Sequence, residues 1–427
     1  MRFQACTIIA HNYLAHARVL YRSFRKFHPD VPFSVLVFDA PPGKVEEEWD
    51  SFSLADIGLP PGEDVRMPAY YGVTDLATAL KPWFFRTLLE RQKLDLLYFD
   101  PDIEFFTPVS HLADLAANHT LVLTPNATRP MKLDGARPGG TDILSAGVYN
   151  LGFLGVNQGS ADFLDWWGER LLREAVIAPA KMRFTEQRWM DFAPGYFDCC
   201  ILKDETCNVA YWNIDGRPLT WTGERYEVRG EPLCFFHFSG FRADAPGRLS
   251  VHQGYTPRIR VSEHPALERL CQAYATKLEE AGYQEMRAIP YGFAKAGDGS
   301  DLTETMRLMY RAVVDRHAKL GSPAPPNPFN QAAEFRAWLD RTQEKEISSD
   351  ERMAQTKTLI KAALGLAQRK AFVKSVKPLR RIFRNQGAVN DSLIEAMHQL
   401  ALQNQDLVDE LSELRGMIRK LRDGASA

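Results

Sequence analysis

Short apolar runs alternate with helix-period segments through the first part of the chain, and this alternation restricts the fold more than any other feature. ACTIIA (5–10) has the length and composition of a buried strand, and residues 13–27 then carry Leu14, Ala17, Leu20, Phe24 and Phe27 at helical spacing. FSVLVFD (33–39) reads as a second strand, residues 76–92 as a helix, DLLYFD (95–100) as a third strand and TLVLT (120–124) as a fourth. Strand, helix, strand in succession predicts an α/β fold with a mostly parallel sheet. Such sheets bind ligands outside the carboxyl ends of their strands, so chemistry is expected just after Ala10, Phe38 and Phe99.

Around 147–261 the pattern changes to aromatic-rich β segments, YNLGFLGVN, NVAYWNI, LTWTG and PLCFFHFSG, with one helix near 160–176. These read as the second half of the same domain, which we place at 1–262; residues 263–347 read as a helical accessory domain, with Pro/Gly breaks near 289–300 and 321–328. The formal net charge of −2 leaves no global field for nucleic acid, and 45% hydrophobic with 25% charged residues excludes a disordered or collagen-like chain. The average hides a basic segment over 348–390: residues 352–390 hold ten Lys or Arg and no Asp or Glu, interleaved with Leu359, Leu366, Phe372 and Phe383. Such a segment suits an anionic membrane surface or a solvated linker. Over 391–423, Leu393, Leu400, Leu407, Leu414 and Leu421 recur every seven residues, with Met397, Asn404, Leu411 and Ile418 in the alternate seam. Leu at d with one Asn at a predicts a parallel two-stranded coiled coil and hence a homodimer. The six cysteines form no CxxC pair, which reads as reduced thiols of a cytoplasmic protein. The start, MRFQACTIIAHNY, is too short in apolar residues for a signal segment, and no stretch reaches membrane-spanning length. The expected location is cytoplasmic, peripheral at the inner membrane face if the basic segment binds lipid.

The chemistry concentrates in YFDPD (98–102). In extended chain, residues two apart face the same side, so Asp100 and Asp102 present two carboxylates at a strand end, half of a site for a hard divalent cation. Pro101 suits a strand end because it cannot donate in a central ladder. The simpler reading is a solvated carboxylate pair. FFHFSG (235–240) offers His237 as a third ligand, and an imidazole tilts the expected metal toward Mn2+ over Mg2+. Taken alone, a histidine on an apolar strand is more often a satisfied core residue.

With these residues in hand, the chain resembles GT-A fold nucleotide-sugar glycosyltransferases, closest to glycosyltransferase family 8, the glycogenin and lipopolysaccharide galactosyltransferase group. IIAHNY (8–13) resembles the family's first-strand nucleotide loop, YFDPD its metal motif, YNLGFLGVN (149–157) its Phe-Asn-x-Gly run, TEQRWMD (185–191) its Asp-Gln segment and HFSG (237–240) its His-x-x-Gly. The family's Asp before Gln is Glu186 here, and RLSVHQ (248–253) stands where it has Lys-Pro-Trp. The resemblance covers about residues 3–255 and implies a GT-A (Rossmann-like) mixed sheet flanked by helices, to which the chain adds a helical accessory region and a C-terminal coiled coil.

The activity it implies is metal-dependent transfer of a sugar from a nucleotide-diphosphate donor, a UDP-sugar, to a glycan, lipid-linked or protein acceptor, with retention. Ala10 and Asn12 would border the base and ribose. Asp100, Asp102 and His237 would hold the metal, with Asp100 also reaching the ribose. Lys81 and Arg86 would steady the phosphates, or else be ordinary helix-surface cations. Asn150 and Gly152 would form a loop close to the donor sugar, Gly152 admitting the backbone, or simply a turn between strands. Gln187 and Asp191 would be catalytic on the acceptor side; four residues apart, they share a face if the segment is helical, with Thr185 as its cap. Two other readings stay open: an inverting transferase with Asp191 as base, and a catalytically silent sugar-nucleotide-binding scaffold dimerised by its tail.

Overall fold

The computed structural model describes residues 3–41, 47–178, 183–254, 256–320 and 324–341; the basic segment and the heptad repeat lie outside the described residues. The chain forms two compact units, Met1–Ala294 and Lys295–Ala427. In the first unit, the strands in chain order are β1 (Phe3–Ile9), β2 (Phe33–Val37), β3 (Asp50–Phe52), β4 (Asp95–Phe99), β5 (Ile103–Phe105), β6 (Leu121–Pro125), β7 (Tyr149–Val156) and β8 (Cys199–Ile201). They are followed by β9 (Leu219–Trp221), β10 (Tyr226–Val228), β11 (Glu231–Pro232) and β12 (Phe235–His237).

A seven-stranded sheet has the order β3-β2-β1-β4-β7-β6-β8, with β7 antiparallel to both of its neighbours and the other pairings parallel. The expected α/β class and mixed sheet are therefore present. β1, β2 and β7 are buried along their whole length, as strands covered by helices on both faces must be. β2, β1 and β4 run parallel side by side, so the chain segments after Val37, Ile9 and Phe99 emerge at one edge of the sheet. β5 leaves that edge and pairs antiparallel with β12, setting His237 opposite Ile103.

Three features differ from the sequence reading. Residues 76–92 form two helices, Val73–Ala79 and Lys81–Gln92, because Pro82 belongs in a first helical turn and starts a new helix. NVAYWNI is not a strand: Val209 makes one isolated bridge to Phe236. The Asn213 side chain instead accepts from Ala210 N (2.9 Å) and donates to Asn208 O (3.0 Å), local bonds that replace a ladder. The helices Pro265–Glu280 and Tyr283–Arg287, expected in an accessory domain, belong to the first unit. Leu267, Leu270, Cys271, Tyr274 and Leu278 are buried in the same core as the strands, and Tyr274 stacks on Phe238 at 3.6 Å and 4°. An amphipathic stripe declares that a helix is covered, but not which domain covers it.

The second unit contains the helix Glu304–Leu320, whose buried Tyr310 meets the Phe335 ring at 5.9 Å. Among the described residues no helix is long and apolar enough to cross a membrane.

Candidate functional site

Backbone pairing assembles the acid cluster. Asp100 N donates to Gly152 O (2.8 Å), tying the end of β4 to β7, and Phe238 N donates to Asp102 O (2.8 Å), tying the same turn to the end of β12. His237 Nε2 consequently lies 3.0 Å from Asp102 Oδ1 and 3.6 Å from Asp100 Oδ2. One ligand atom from each of the three residues falls within 4.8 Å of the others.

The imidazole is buried and closely fitted. A Cβ on Gly152 would stand 2.3 Å from His237 Cε1, and the Trp212 ring meets the imidazole edge-on at 5.2 Å and 86°. Gly152, which lies with Asn150 inside β7 and not in the expected loop or turn, thus makes room for His237. Asn150, beside it on β7, turns its side chain inward: Oδ1 accepts from Gly152 N (3.0 Å) and from Asn208 Nδ2 (2.9 Å).

Lys81 is neither a helix-surface cation nor an uncommitted one. It is buried, and its Nζ donates to Glu186 Oε1 (2.7 Å) and Leu151 O (2.9 Å), with Asp100 Oδ1 at 3.6 Å. Burial alone would lower its pKa, but Glu186 and Asp100 more than offset this and hold it above the ordinary lysine value. Arg86 instead engages Ala161 O and the Asp165 carboxylate of the helix Ala161–Leu171, not the acid cluster.

The carboxylates are driven apart electrostatically. Burial holds Asp100 above the usual range despite Lys81 and His237, whereas at Asp102 the opposing effect of burial is outweighed by the charge and hydrogen bond of His237. At His237 burial acts downward, and Asp102 followed by Asp100 raises it above the ordinary histidine value. With the ring neutral, Asp100, Asp102 and Glu186 against Lys81 leave two uncompensated negative charges, the deficit a divalent cation removes. Two carboxylates with one imidazole are a donor set that Mn2+ and Mg2+ accept.

Ala10 is buried at the end of β1, its carbonyl accepting from Tyr13 N (2.9 Å). Asn12 follows, and its buried Oδ1 has no protein partner; Glu186 Oε2 is likewise unpartnered. Gln187 and Asp191 lie on a 3-10 helix, Gln187–Phe192, and Thr185 does not cap it: at φ 46° its hydroxyl turns to Phe184 O (2.9 Å). Gln187 is buried, with Oε1 accepting from Asn150 Nδ2 (3.2 Å) and Leu151 N (3.3 Å), and Nε2 donating to Ala146 O (3.1 Å). Asp191 accepts from Val148 N (2.9 Å) and pairs with Arg188.

Three site residues escaped the sequence reading. Asp39, at the end of the second apolar run, accepts from His11 N (2.7 Å) and Gly292 N (3.0 Å); the strand-end rule pointed to its place without naming it. Asn208 Oδ1 lies 3.1 Å from His237 Nδ1, and the residue carries no motif. His16, buried on the helix Leu14–Phe27, feels the Asp102 charge and stands outside the apolar spacing read from that segment. A second group, His111, Cys207 and Cys234, also gathers ligand atoms within 4.8 Å, although burial pushes the Cys207 thiol well up.

No family model matches the chain. It is 25% identical over 248 residues to the uncharacterized protein YfnF of Bacillus subtilis (strain 168), covering 56% of this chain and 81% of that protein. It is 26% identical over 170 residues to the uncharacterized protein YfnD of the same strain, covering 38% of this chain and 52% of that one. Among solved structures it is similar to the galactosyltransferase LgtC in complex with donor and acceptor sugar analogs, at 14% identity and a TM-score of 0.36, covering 64% of this chain and 95% of that one. It is also similar to the glycosyltransferase GlyE of Streptococcus pneumoniae TIGR4, at 14% identity and a TM-score of 0.37, covering 68% and 66%. Mouse xyloside xylosyltransferase 1 follows at 12% identity and a TM-score of 0.35, covering 56% and 97%.

Proposed function

We propose that this protein is a metal-dependent glycosyltransferase that moves a sugar from a nucleotide-diphosphate donor, a UDP-sugar, to a glycan, lipid-linked or protein acceptor, with retention. The observation that carries the reading is the convergence of Asp100, Asp102 and His237 at the edge where β1, β2 and β4 end. These three residues would hold Mn2+ or Mg2+. When bound, the cation supplies Lewis-acid neutralisation of a diphosphate leaving group.

The other groups are assigned by what they leave unsatisfied. Asn12 stands just past β1, where a base or ribose would lie, and Glu186 Oε2 is an enclosed acceptor that a sugar hydroxyl would meet only after the side chains over it part. Lys81 holds Glu186 and faces Asp100, so its role is to fix these two acids while the phosphates meet the metal. Gln187, fully engaged inside the chain, supports the site rather than attacking the donor. Asp191 is likewise committed, to Val148 N and Arg188, which speaks against its service as the base of an inverting reaction.

The test is a panel of nucleotide sugars supplied with Mn2+, reading released nucleotide. One donor should turn over, Asp100→Ala should abolish that turnover without unfolding the chain, and an α-donor should give an α-linked product. Absence of both hydrolysis and transfer across the panel would leave the scaffold reading standing instead.

A further inference from the structure

We propose that Asn208 is a positioning residue that locks His237 in the tautomer required to ligate a cation; this rests on the reading of Asp100, Asp102 and His237 as the metal site. An imidazole can offer a lone pair at Nε2 only if its proton is on Nδ1, and the partner of Nδ1 decides that. Here the partner is Asn208 Oδ1 at 3.1 Å, while Nε2 faces the two aspartates.

The two ends of an amide are nearly alike in shape, so the orientation of Asn208 is set by its other contacts. Its Nδ2 faces Asn150 Oδ1 at 2.9 Å and Thr124 Oγ1 at 3.1 Å. The Thr124 hydroxyl gives its single proton to Asn150 O (3.2 Å), which leaves its oxygen free to accept from Asn208. Asn150 is oriented in turn by Gly152 N, a backbone group that can only donate, at 3.0 Å from Oδ1. Its Nδ2 donates to Gln187 Oε1 (3.2 Å), an oxygen that also receives Leu151 N (3.3 Å). Gln187 Nε2 donates to Ala146 O (3.1 Å), a carbonyl that can only accept.

Every amide in the series Gln187–Asn150–Asn208 is therefore polarised, and the first two directly by backbone groups whose roles cannot exchange. Turning Asn208 over would oppose its oxygen to Asn150 Oδ1, two buried acceptors face to face. Nδ1 of His237 must then be the donor. The ring cannot evade the constraint by rotating, because it is wedged between Gly152 and Trp212. Asn208 itself adopts φ 55°, a left-handed conformation that asparagine tolerates better than most residues.

The experiment titrates the full chain with Mn2+, following free Mn2+ by electron paramagnetic resonance. Asn208→Gly keeps the left-handed backbone unstrained, and it should weaken Mn2+ binding by roughly 10- to 100-fold, the usual effect of losing such a partner. In parallel, 15N spectra of histidine-labelled wild type, saturated with diamagnetic Mg2+ so that a cation stands between Nε2 and the two carboxylates, and assigned with His237→Gln, should show the His237 proton on Nδ1. A proton on Nε2, or equal Mn2+ affinity in wild type and Asn208→Gly, overturns the proposal and leaves the metal site standing. Failure of wild type to bind Mn2+ overturns the metal reading itself, and this proposal with it.

Discussion

Single side chains in this site act through the space and charge they leave to others. Gly152 is the clearest case: a Cβ there would be 2.3 Å from His237 Cε1 and 2.9 Å from Asn150 Oδ1. Gly152→Ala should therefore displace the imidazole and reduce Mn2+ affinity by about tenfold or more, measured by calorimetric titration. Lys81 neutralises Glu186 in a buried pair, so Lys81→Met leaves a buried charge without its partner. The expected loss is about 3–5 kcal/mol in urea unfolding. His16 provides a pH signature. Burial lowers its pKa from 6.5 to about 4, with Asp102 opposing, so the folded chain binds it neutral while the unfolded chain protonates it below its ordinary value. The unfolded state then holds more protons between these limits, and stability falls as pH drops through them. Comparison of unfolding at pH 7 and pH 5 should show a loss of about 2 kcal/mol that His16→Gln abolishes.

Elements matter here through their ends and pairings. β12 is short, but it carries Phe235 into a cluster with Phe99, Phe105 and Phe153, and thus fastens β4, β5 and β7 together beneath His237. Phe235→Ala is expected to cost about 3–5 kcal/mol in denaturant unfolding. It should also weaken Mn2+ binding, because the same strand holds the imidazole. The β5–β12 pairing explains why residues separated so far along the chain meet: Phe236 lies opposite Glu104, and the ladder ends where Asp102 O receives Phe238 N. The strand-end rule located Asn12, Asp39 and Asp100 because parallel neighbours β2, β1 and β4 must finish at a common edge. It was silent on Asn208, which belongs to a turn held by its own side-chain bonds rather than to a strand.

At the scale of the molecule, the first unit has one core that includes the helix Pro265–Glu280, beyond the boundary that composition placed at residue 262. The heptad repeat belongs to this scale as well. Five leucines at seven-residue spacing with Asn404 in the alternate seam predict that the whole protein is a parallel dimer. Light scattering should report a dimer for the full chain and a monomer after deletion of 388–427; an unchanged mass would remove the coiled-coil expectation.

The sequence by itself determined the α/β class, the edge at which the site lies and the pair Asp100 and Asp102, since strand periodicity and strand ends are local properties of the chain. It also supplied His237 as a candidate third ligand, raised above an ordinary core histidine by the company of the two aspartates and by the resemblance. Tertiary structure decided which residues surround them: it drew Lys81 inward to Glu186, paired Arg86 with Asp165 of the helix Ala161–Leu171 and gave the space at Gly152 to an imidazole. It also bound Gln187 and Asn150 into the amide series that reaches Asn208. The reason is physical. A periodicity reports that a face is covered, whereas hydrogen-bond partners and charge pairs depend on contacts between segments far apart in sequence, and those exist only once the chain is packed.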